Sequence, residues 1–396
     1  MDVIFLLAGD MHTDRDDRTN FLLMGVGGEG HDGGDLTDTF IVASYSHDYG
    51  TLSLLSIPRD FWVEAGDGVG MRVNKIYEYE KIRLEDSEAS LETVAEVASR
   101  IADIPIHYYA KIDFTGFTDL IDAMGGVKVL VEEPIDDPYY PCPGLNGYCP
   151  FHITAGLHNL NGDTALQFAR SRKTTSDFSR AARQQQLLEA MREKALSMDL
   201  LTNPKKLKAV YDVVGDSIET NLSWRELVAL ADIGADFDRK NMATLVLSDE
   251  STYTGGLLYT PPREEYGGAA VLLPDGNDYR KIQLLTDILF THPRVIIDQL
   301  SIEVLNASGY SGVAEDVAYY LNRYGLNSAR INNYPDRQIF PKTTLYHYGE
   351  ERTKETAEVL SGFIDADWQE GGADLSKRGF DLTVVIGEDY RASDYE

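Results

Sequence analysis

Strand-like and helix-like segments alternate between residues 21 and 131, and that alternation restricts the fold more than any other feature of the chain. FLLMGV at 21–26 is an apolar run, and two β-rich runs follow at 39–46 and 51–57. The turn-like HDYG at 47–50 separates those two, which predicts a hairpin. With the turn centred between Asp48 and Tyr49, antiparallel pairing sets Asp38 against Arg59 at the open end. A helix is expected over 87–102, with Ser87 or Ser90 as its cap, then a strand over 107–112. Asp113 is placed to cap a helix running to Met124, and Gly125-Gly126 ends it before a strand at 127–131. The pattern predicts an α/β architecture with a largely buried sheet.

Further along, 161–169 and 178–197 read as helices, 221–223 starts another, and 244–247 reads as a strand. A Gly/Pro-rich insertion covers 253–277. A fresh start at 301–306, a helix at 312–324 and a strand at 382–386 predict a second, smaller α/β unit. No internal repeat is visible.

Composition narrows the function classes. The 36 Lys and Arg residues face 65 Asp and Glu, a formal net charge of −29. Nucleic-acid binding depends on cations that displace counterions from phosphates, so a body this acidic argues against a nucleic-acid partner. The only two cysteines, Cys142 and Cys149, lie in PCPGLNGYCP. Gly144 and Gly147 let the loop fold back, which favours a disulfide and an oxidising, extracytoplasmic compartment over two free thiols. No stretch approaches the roughly 20 apolar residues of a membrane-spanning helix, and residues 1–19 read as an N-terminal remnant or linker.

The chemistry concentrates in FARSRKTTSDFSRAAR at 168–183, where Arg170, Arg172, Lys173, Arg180 and Arg183 stand against the single acid Asp177. Guanidinium groups are forked, permanent cations that match phosphate oxygens in pairs. Asp177 is a candidate N-cap, and Arg180, Arg183 and Gln184 then share the first turns of the following helix, where free N–H groups favour an anion. Leu187, Leu188 and Met191 continue that face as an apolar stripe. Such a stripe suits the tail of an amphiphilic anion, but packing in the core is the reading preferred for these three.

Asp38, in LTDTF at 36–40, and Arg59, in SIPRD at 56–60, form either a structural ion pair or part of a phosphate site, with Asp38 as an Mg2+ ligand. The glycine-rich loop at 25–35 precedes a strand, not a helix, and so does not match a phosphate-gripping GxGxxG. No Ser/His/Asp triad, HExxH or nucleophilic cysteine pattern is legible.

Taken in order, LLMG…LTDTF, SIPRD, RVNKIYEYE, IPIHYYAKIDFTGFTDLIDAMGGVKV, LNGDTALQFARSR and DFSRAARQQQ resemble the LytR-CpsA-Psr (LCP) family. IEVLNASGYSGVAEDVAYYLNRYG and DLTVVIGEDY resemble the LytR C-terminal domain. The resemblance implies a central mixed β-sheet flanked by helices over 20–298 and a small separate α/β domain over 299–392. It implies a phosphotransferase that moves a glycopolymer from a polyprenyl-pyrophosphate carrier to a peptidoglycan sugar hydroxyl, assisted by Mg2+. It further implies an extracytoplasmic protein held at the cell membrane by an anchor that this chain lacks.

Carried over residue by residue, Arg59, Arg170, Arg172 and Arg180 become the pyrophosphate-binding arginines, with Gln184 beside them. Arg183 joins this substrate-binding cluster, Asp38 becomes the metal-associated carboxylate, and Asp177 orients an arginine or acts as base. A second family carboxylate is replaced here by Gly27, which leaves Glu29, His31, Asp32 or Asp35 as substitutes. The same residues suit a polyprenyl-pyrophosphate phosphatase, or a binding protein that holds the lipid carrier or cell wall without reacting it.

Overall fold

The computed structural model describes residues 11–31, 33–142, 147–171, 177–249, 256–326, 328–349, 351–371, 373–376 and 378–390. The chain divides into two compact units. The first comprises Met1–Gly50, Leu54–Asp238 and Pro261–Leu272, and the second Thr51–Ser53, Arg239–Thr260 and Leu273–Glu396. No helix among the described residues is long and apolar enough to cross a membrane.

The first unit is organised around β1 (Arg18–Val26), β2 (Thr37–Ser46), β3 (Thr51–Ser56), β4 (Tyr108–Asp113) and, after the separate strand β5 (Val127–Val131), β6 (Ile218–Thr220). Within the central sheet these run in the order β6-β4-β1-β2-β3. β1 is antiparallel to β2 and parallel to β4, while β6 is antiparallel to β4, so the sheet is mixed. β1 is buried almost throughout, as expected of a central strand covered on both faces.

Local sequence accounts for most of the surrounding elements. α1 (Ile76–Leu84) leads into α2 (Ser87–Ala102), whose buried Leu91, Val94, Ala98 and Ile101 recur at three- and four-residue intervals. The α2 cap is Asp86, whose carboxylate accepts from the Ala89 amide, and not Ser87 or Ser90; a carboxylate at this position is also favoured by the helix dipole. Asp113 caps α3 (Phe114–Ala123) by accepting from the Gly116 amide at 2.7 Å. Asn161 caps α4 (Gly162–Arg170), α5 spans Asp177–Ser197, and Ser223 with Glu226 forms a capping box on α6 (Trp224–Asp236).

The expected hairpin register is present. The Ile57 amide donates to the Phe40 carbonyl at 2.9 Å, the same alignment that opposes Asp38 and Arg59. The glycine-rich loop closes on itself, with the Gly28 amide donating to the Gly34 carbonyl at 2.9 Å. Gly28 has φ +83°, and a Cβ there would sit 2.9 Å from that of Asp113, so only glycine fits.

The second unit has a five-stranded sheet made by β7 (Ile302–Asn306), β8 (Ser328–Asn333), β9 (Thr344–His347), β10 (Asp367–Glu370) and β11 (Leu382–Ile386). Its order is β8-β7-β11-β9-β10, with β9 antiparallel to β11 and the other pairs parallel. Helices α7 (Val313–Arg323) and α8 (Glu351–Phe363) pack on it through Ala314, Val317, Leu321, Ala357 and Leu360. Glu303 is fully buried in β7, and Arg378 grips both its oxygens, at 2.6 and 2.7 Å.

Candidate functional site

One face of the first unit's sheet is left uncovered by close packing. Leu23 and Gly25 of β1, Thr39 and Ile41 of β2, Ala110 and Ile112 of β4 and Ile218 of β6 floor a cavity of about 680 Å³. The strand register explains why these residues share a face: Leu23 pairs with both Ile41 and Ala110, and Gly25 with both Thr39 and Ile112. The roof comes from Phe114, Phe117 and Leu120 of α3, from Leu166 and Ala169 of α4, and from Leu187, Leu188 and Met191 of α5. The apolar stripe of α5 thus lines the hollow. Leu187 also belongs to the buried core, whereas Leu188 is 39% exposed, so the core-packing preference fails for Leu188.

Polar groups gather at one end. Asp38 is the extra residue of a β-bulge: Gly25 pairs with Thr39 and Val26 with Thr37, which leaves Asp38 without an opposite number on β1. Bulges re-aim side chains, and Asp38 lines the cavity while Arg59 Nη1 donates to its Oδ1 at 3.1 Å. Arg59 Nε lies 3.6 Å from Asp60, which in turn accepts from Arg72 at 3.0 Å. The Asp38 and Arg59 side chains are about a third and a quarter exposed. A pair so placed contributes under about 1 kcal/mol to stability. Its consequence is positional, because it holds a guanidinium beside the cavity rim.

Gln184 also reaches this end, with its amide donating to Thr39 Oγ1 at 3.2 Å. Arg170, the last residue of α4, lies with its guanidinium carbon 3.9 Å from the centre of the Phe114 ring and donates to the Tyr140 hydroxyl at 3.4 Å. Among the described residues no carboxylate is within 4.0 Å of it. Burial pushes the Tyr140 phenol above its ordinary pKa while the Arg170 charge pulls the other way; the net shift is upward and the ring stays neutral.

Arg183 has another task. Buried in α5, it donates from Nε to the Phe168 carbonyl at 2.9 Å and from Nη2 to the Ser171 carbonyl. These belong to the C-terminal end of α4, whose carbonyls lack helical partners. Arg183 therefore fixes the backbone that presents Arg170, and is not among the cavity's lining residues. Arg172 and Lys173 lie outside the described residues, as do the side chains of Asp177 and Arg180.

Of the loop candidates for the missing carboxylate, Asp35 is paired with Lys81 at 2.9 Å, Glu29 is exposed, His31 packs edge-on against Phe114, and Asp32 lies outside the described residues. Asp113, read from sequence only as a helix cap, lines the cavity beside Gly28. No cluster of three or more His, Cys, Asp or Glu able to hold a metal is present among the described residues. The donor set does fit Mg2+ of the kind that takes one or two carboxylates and draws its remaining oxygens from phosphate and water. Asp38 is such a hard, accessible oxygen donor, and its Oδ2 has no protein partner among the described residues.

Sequence reasoning missed the mouth of the cavity, formed by Asp137, Tyr139, Pro141 and Tyr148. Cys142 and Cys149 are disulfide-bonded there. The signal was present as tyrosines and prolines flanking two cysteines, but it was read only for its redox meaning.

The family model for LytR_cpsA_psr matches residues 7–268, and that for the LytR cell envelope-related transcriptional attenuator matches residues 299–390. The cell wall biosynthesis protein LcpA of Corynebacterium glutamicum is 27% identical over 83% of this chain and 66% of its own. TagV of Bacillus subtilis, a polyisoprenyl-teichoic acid–peptidoglycan teichoic acid transferase, is 30% identical over 62% of this chain and 58% of its own. TagU of Halalkalibacterium halodurans, with the same activity in its name, is 30% identical over 65% of this chain and 84% of its own. The chain thus spans less than two thirds of the length of LcpA and of TagV.

Among solved structures, B. subtilis TagV aligns with a TM-score of 0.52 at 25% identity, covering 69% of this chain and 97% of that one. TagT bound to LI-WTA shares the fold with a TM-score of 0.51 at 20% identity, covering 71% and 94% of the two chains.

Proposed function

The chain belongs to the LytR-CpsA-Psr family, and on that premise we propose that it moves a glycopolymer from a polyprenyl-pyrophosphate carrier onto a peptidoglycan sugar hydroxyl. The observation that carries this reading is the two-ended cavity: an apolar hollow whose polar end holds Arg170, Gln184 and the Arg59-bound Asp38. A ligand with a diphosphate head and a hydrocarbon tail matches both ends.

The acceptor hydroxyl oxygen forms a bond to the phosphorus that carries the sugar, and the bond from that phosphorus to the bridging oxygen breaks. Polyprenyl phosphate leaves with the electron pair, and the hydroxyl proton passes to a base, for which Asp177 is the candidate. The diphosphate's charge must be offset before a hydroxyl can approach. Arg170, Arg59, Arg172 and Arg180 are assigned that role, with Gln184 donating beside them and Arg183 positioning the α4 end. Asp38 is the residue that would hold an Mg2+ ion, which would supply further charge neutralisation there. An accessible guanidinium with no carboxylate of its own among the described residues, as Arg170 is, has the most to gain from a phosphate partner.

The reaction is placed on the outer side of the cell membrane, where such carriers meet peptidoglycan. The Cys142–Cys149 disulfide supports that compartment, and the membrane anchor is part of the proposal. The test is a transfer assay with carrier-linked glycopolymer and peptidoglycan, with Mg2+ or with EDTA. Product linked to peptidoglycan is expected with Mg2+, with loss in Arg59→Ala, Arg170→Ala and Arg172→Ala. Undiminished activity in those variants overturns the residue assignments, and phosphate release that ignores added peptidoglycan converts the enzyme to a phosphatase.

A further inference from the structure

Two tyrosines at the cavity mouth are exposed where a soluble surface has no structural use for them. Tyr139 is 53% exposed and Tyr148 65%, yet their rings meet edge to face with centroids 5.3 Å apart. Both line the cavity. They are held from two sides. Cys142 and Cys149 are bridged, the Cys149 amide donates to the Tyr140 carbonyl at 2.7 Å, and Pro141 forms a β-bridge with Tyr148. On the other side the Tyr139 amide donates to Asp137 Oδ1 at 3.2 Å, and Asp137 Oδ2 accepts from Ser171 Oγ at 3.0 Å.

This scaffold also fixes which end of the ligand the tyrosines meet. Ser171 directly follows Arg170, and Tyr140, between the platform residue Tyr139 and the bridge, accepts from Arg170 itself. The tyrosine pair therefore stands beside the polar end and is coupled to the same helix terminus. The apolar lining that suits a tail comes from other residues, Leu187, Leu188 and Met191 of α5.

We propose that Tyr139 and Tyr148 form a disulfide-pinned subsite for the first sugar ring attached to the diphosphate. This rests on the carrier-lipid reading above. In such a substrate the group next to the terminal phosphate is a sugar, and a sugar presents a C–H-rich face and a rim of hydroxyls. Tyrosine answers both, with a broad apolar ring and a polar tip, at little conformational cost because only two torsions must be frozen. Pinning the loop before binding lowers the ordering cost further. The subsite makes recognition of the sugar more sensitive to reduction of the bridge than the diphosphate and tail contacts are.

The experiment measures binding of two probes to the full chain: a soluble prenyl pyrophosphate, and the same molecule with one sugar on its terminal phosphate. In the Tyr139→Ala/Tyr148→Ala variant the sugar-bearing probe is expected to bind about tenfold more weakly, and the bare prenyl pyrophosphate within about twofold of wild type. Reduction of wild-type protein is expected to give the same selective loss, and Tyr139→Phe/Tyr148→Phe to retain most of the preference. Equal losses for both probes, or none for the sugar-bearing one, overturn the subsite. Wild-type protein that binds neither probe overturns the carrier-lipid reading and the subsite with it, whereas tight binding of the bare probe with no gain from the sugar overturns the subsite alone.

Discussion

Arg170 in the first unit and Arg378 in the second are the same side chain put to opposite uses. Arg378 is saturated: both oxygens of the fully buried Glu303 accept from it, and Arg330 approaches the same carboxylate at 3.9 Å. Arg170 meets the Phe114 ring and the ring and hydroxyl of Tyr140, beside an open hollow, and among the described residues no carboxylate answers it. A cation already matched by a buried counter-charge holds a fold together. One that faces a cavity with its donors under-used is available to a ligand. The same contrast recurs between Arg183, which is spent on the carbonyls of α4, and Arg59, which shares Asp38 at the cavity rim.

The difference is broken or sharpened by substitution. The largest effect is expected from Arg170→Ala, which should lower kcat/KM for transfer about 10²–10³-fold, the range for removing one preorganised donor to a developing charge. Its melting temperature should stay within about 2 °C of wild type, since no ion pair among the described residues is lost. Arg378→Ala should do the reverse. Leaving Glu303 buried without its partner costs about 3–5 kcal/mol, read as an early unfolding transition of the second unit in calorimetry, with binding of a prenyl pyrophosphate unchanged. Arg183→Met should fall between the two, costing about 2 kcal/mol through unsatisfied carbonyls and lowering activity through Arg170. Chemical denaturation and the transfer assay together separate those contributions.

Smaller still is the stability effect of Asp38→Asn, expected below about 1 kcal/mol by denaturation because the Arg59 pair is part-exposed. The smallest is a change in acid sensitivity on the opposite face of the sheet. There Lys111 donates to the Tyr77 hydroxyl at 2.6 Å and pairs with Glu219, its cross-strand partner on β6. Burial pushes the Glu219 pKa up, but hydrogen bonds from Lys111 and Ser87 outweigh it and hold the carboxyl below its ordinary value. A depressed carboxylate adds stability above its unfolded pKa and loses it as pH falls through the folded value. Glu219→Gln should therefore flatten the decline of melting temperature below about pH 4.5. An unchanged acid slope contradicts that assignment.

Much of the fold was legible because short-range rules decide it. Asp113 acts as the cap its position suggested, the helices expected from 161 and from 221–223 begin at the caps Asn161 and Ser223, and the turn at 47–50 set the register that opposes Asp38 and Arg59. β6 was not legible: Ile218, Glu219 and Thr220 are too few to show a period, and what makes them a strand is pairing with the distant β4. The cavity was not legible either. A Leu187, Leu188 and Met191 stripe looks the same whether it meets a neighbouring helix or a hollow, and only the placement of α3, α4 and α5 over the sheet distinguishes the two. The cross-link at the tyrosine mouth was legible from its two cysteines, but the mouth also depends on Asp137 reaching Ser171, a contact between residues 34 apart that no local pattern shows.

The most direct measurement is calorimetric titration of the chain and its Arg170→Ala variant with farnesyl pyrophosphate, farnesol and inorganic pyrophosphate. Wild-type protein should bind farnesyl pyrophosphate at least about tenfold more tightly than either fragment, because both ends of the hollow are then filled. Arg170→Ala should lose that advantage while its weak affinity for farnesol stays unchanged. Equal affinity of the two proteins for farnesyl pyrophosphate would mean that Arg170 does not receive the diphosphate, and that the hollow beside it is not where the carrier's head is held.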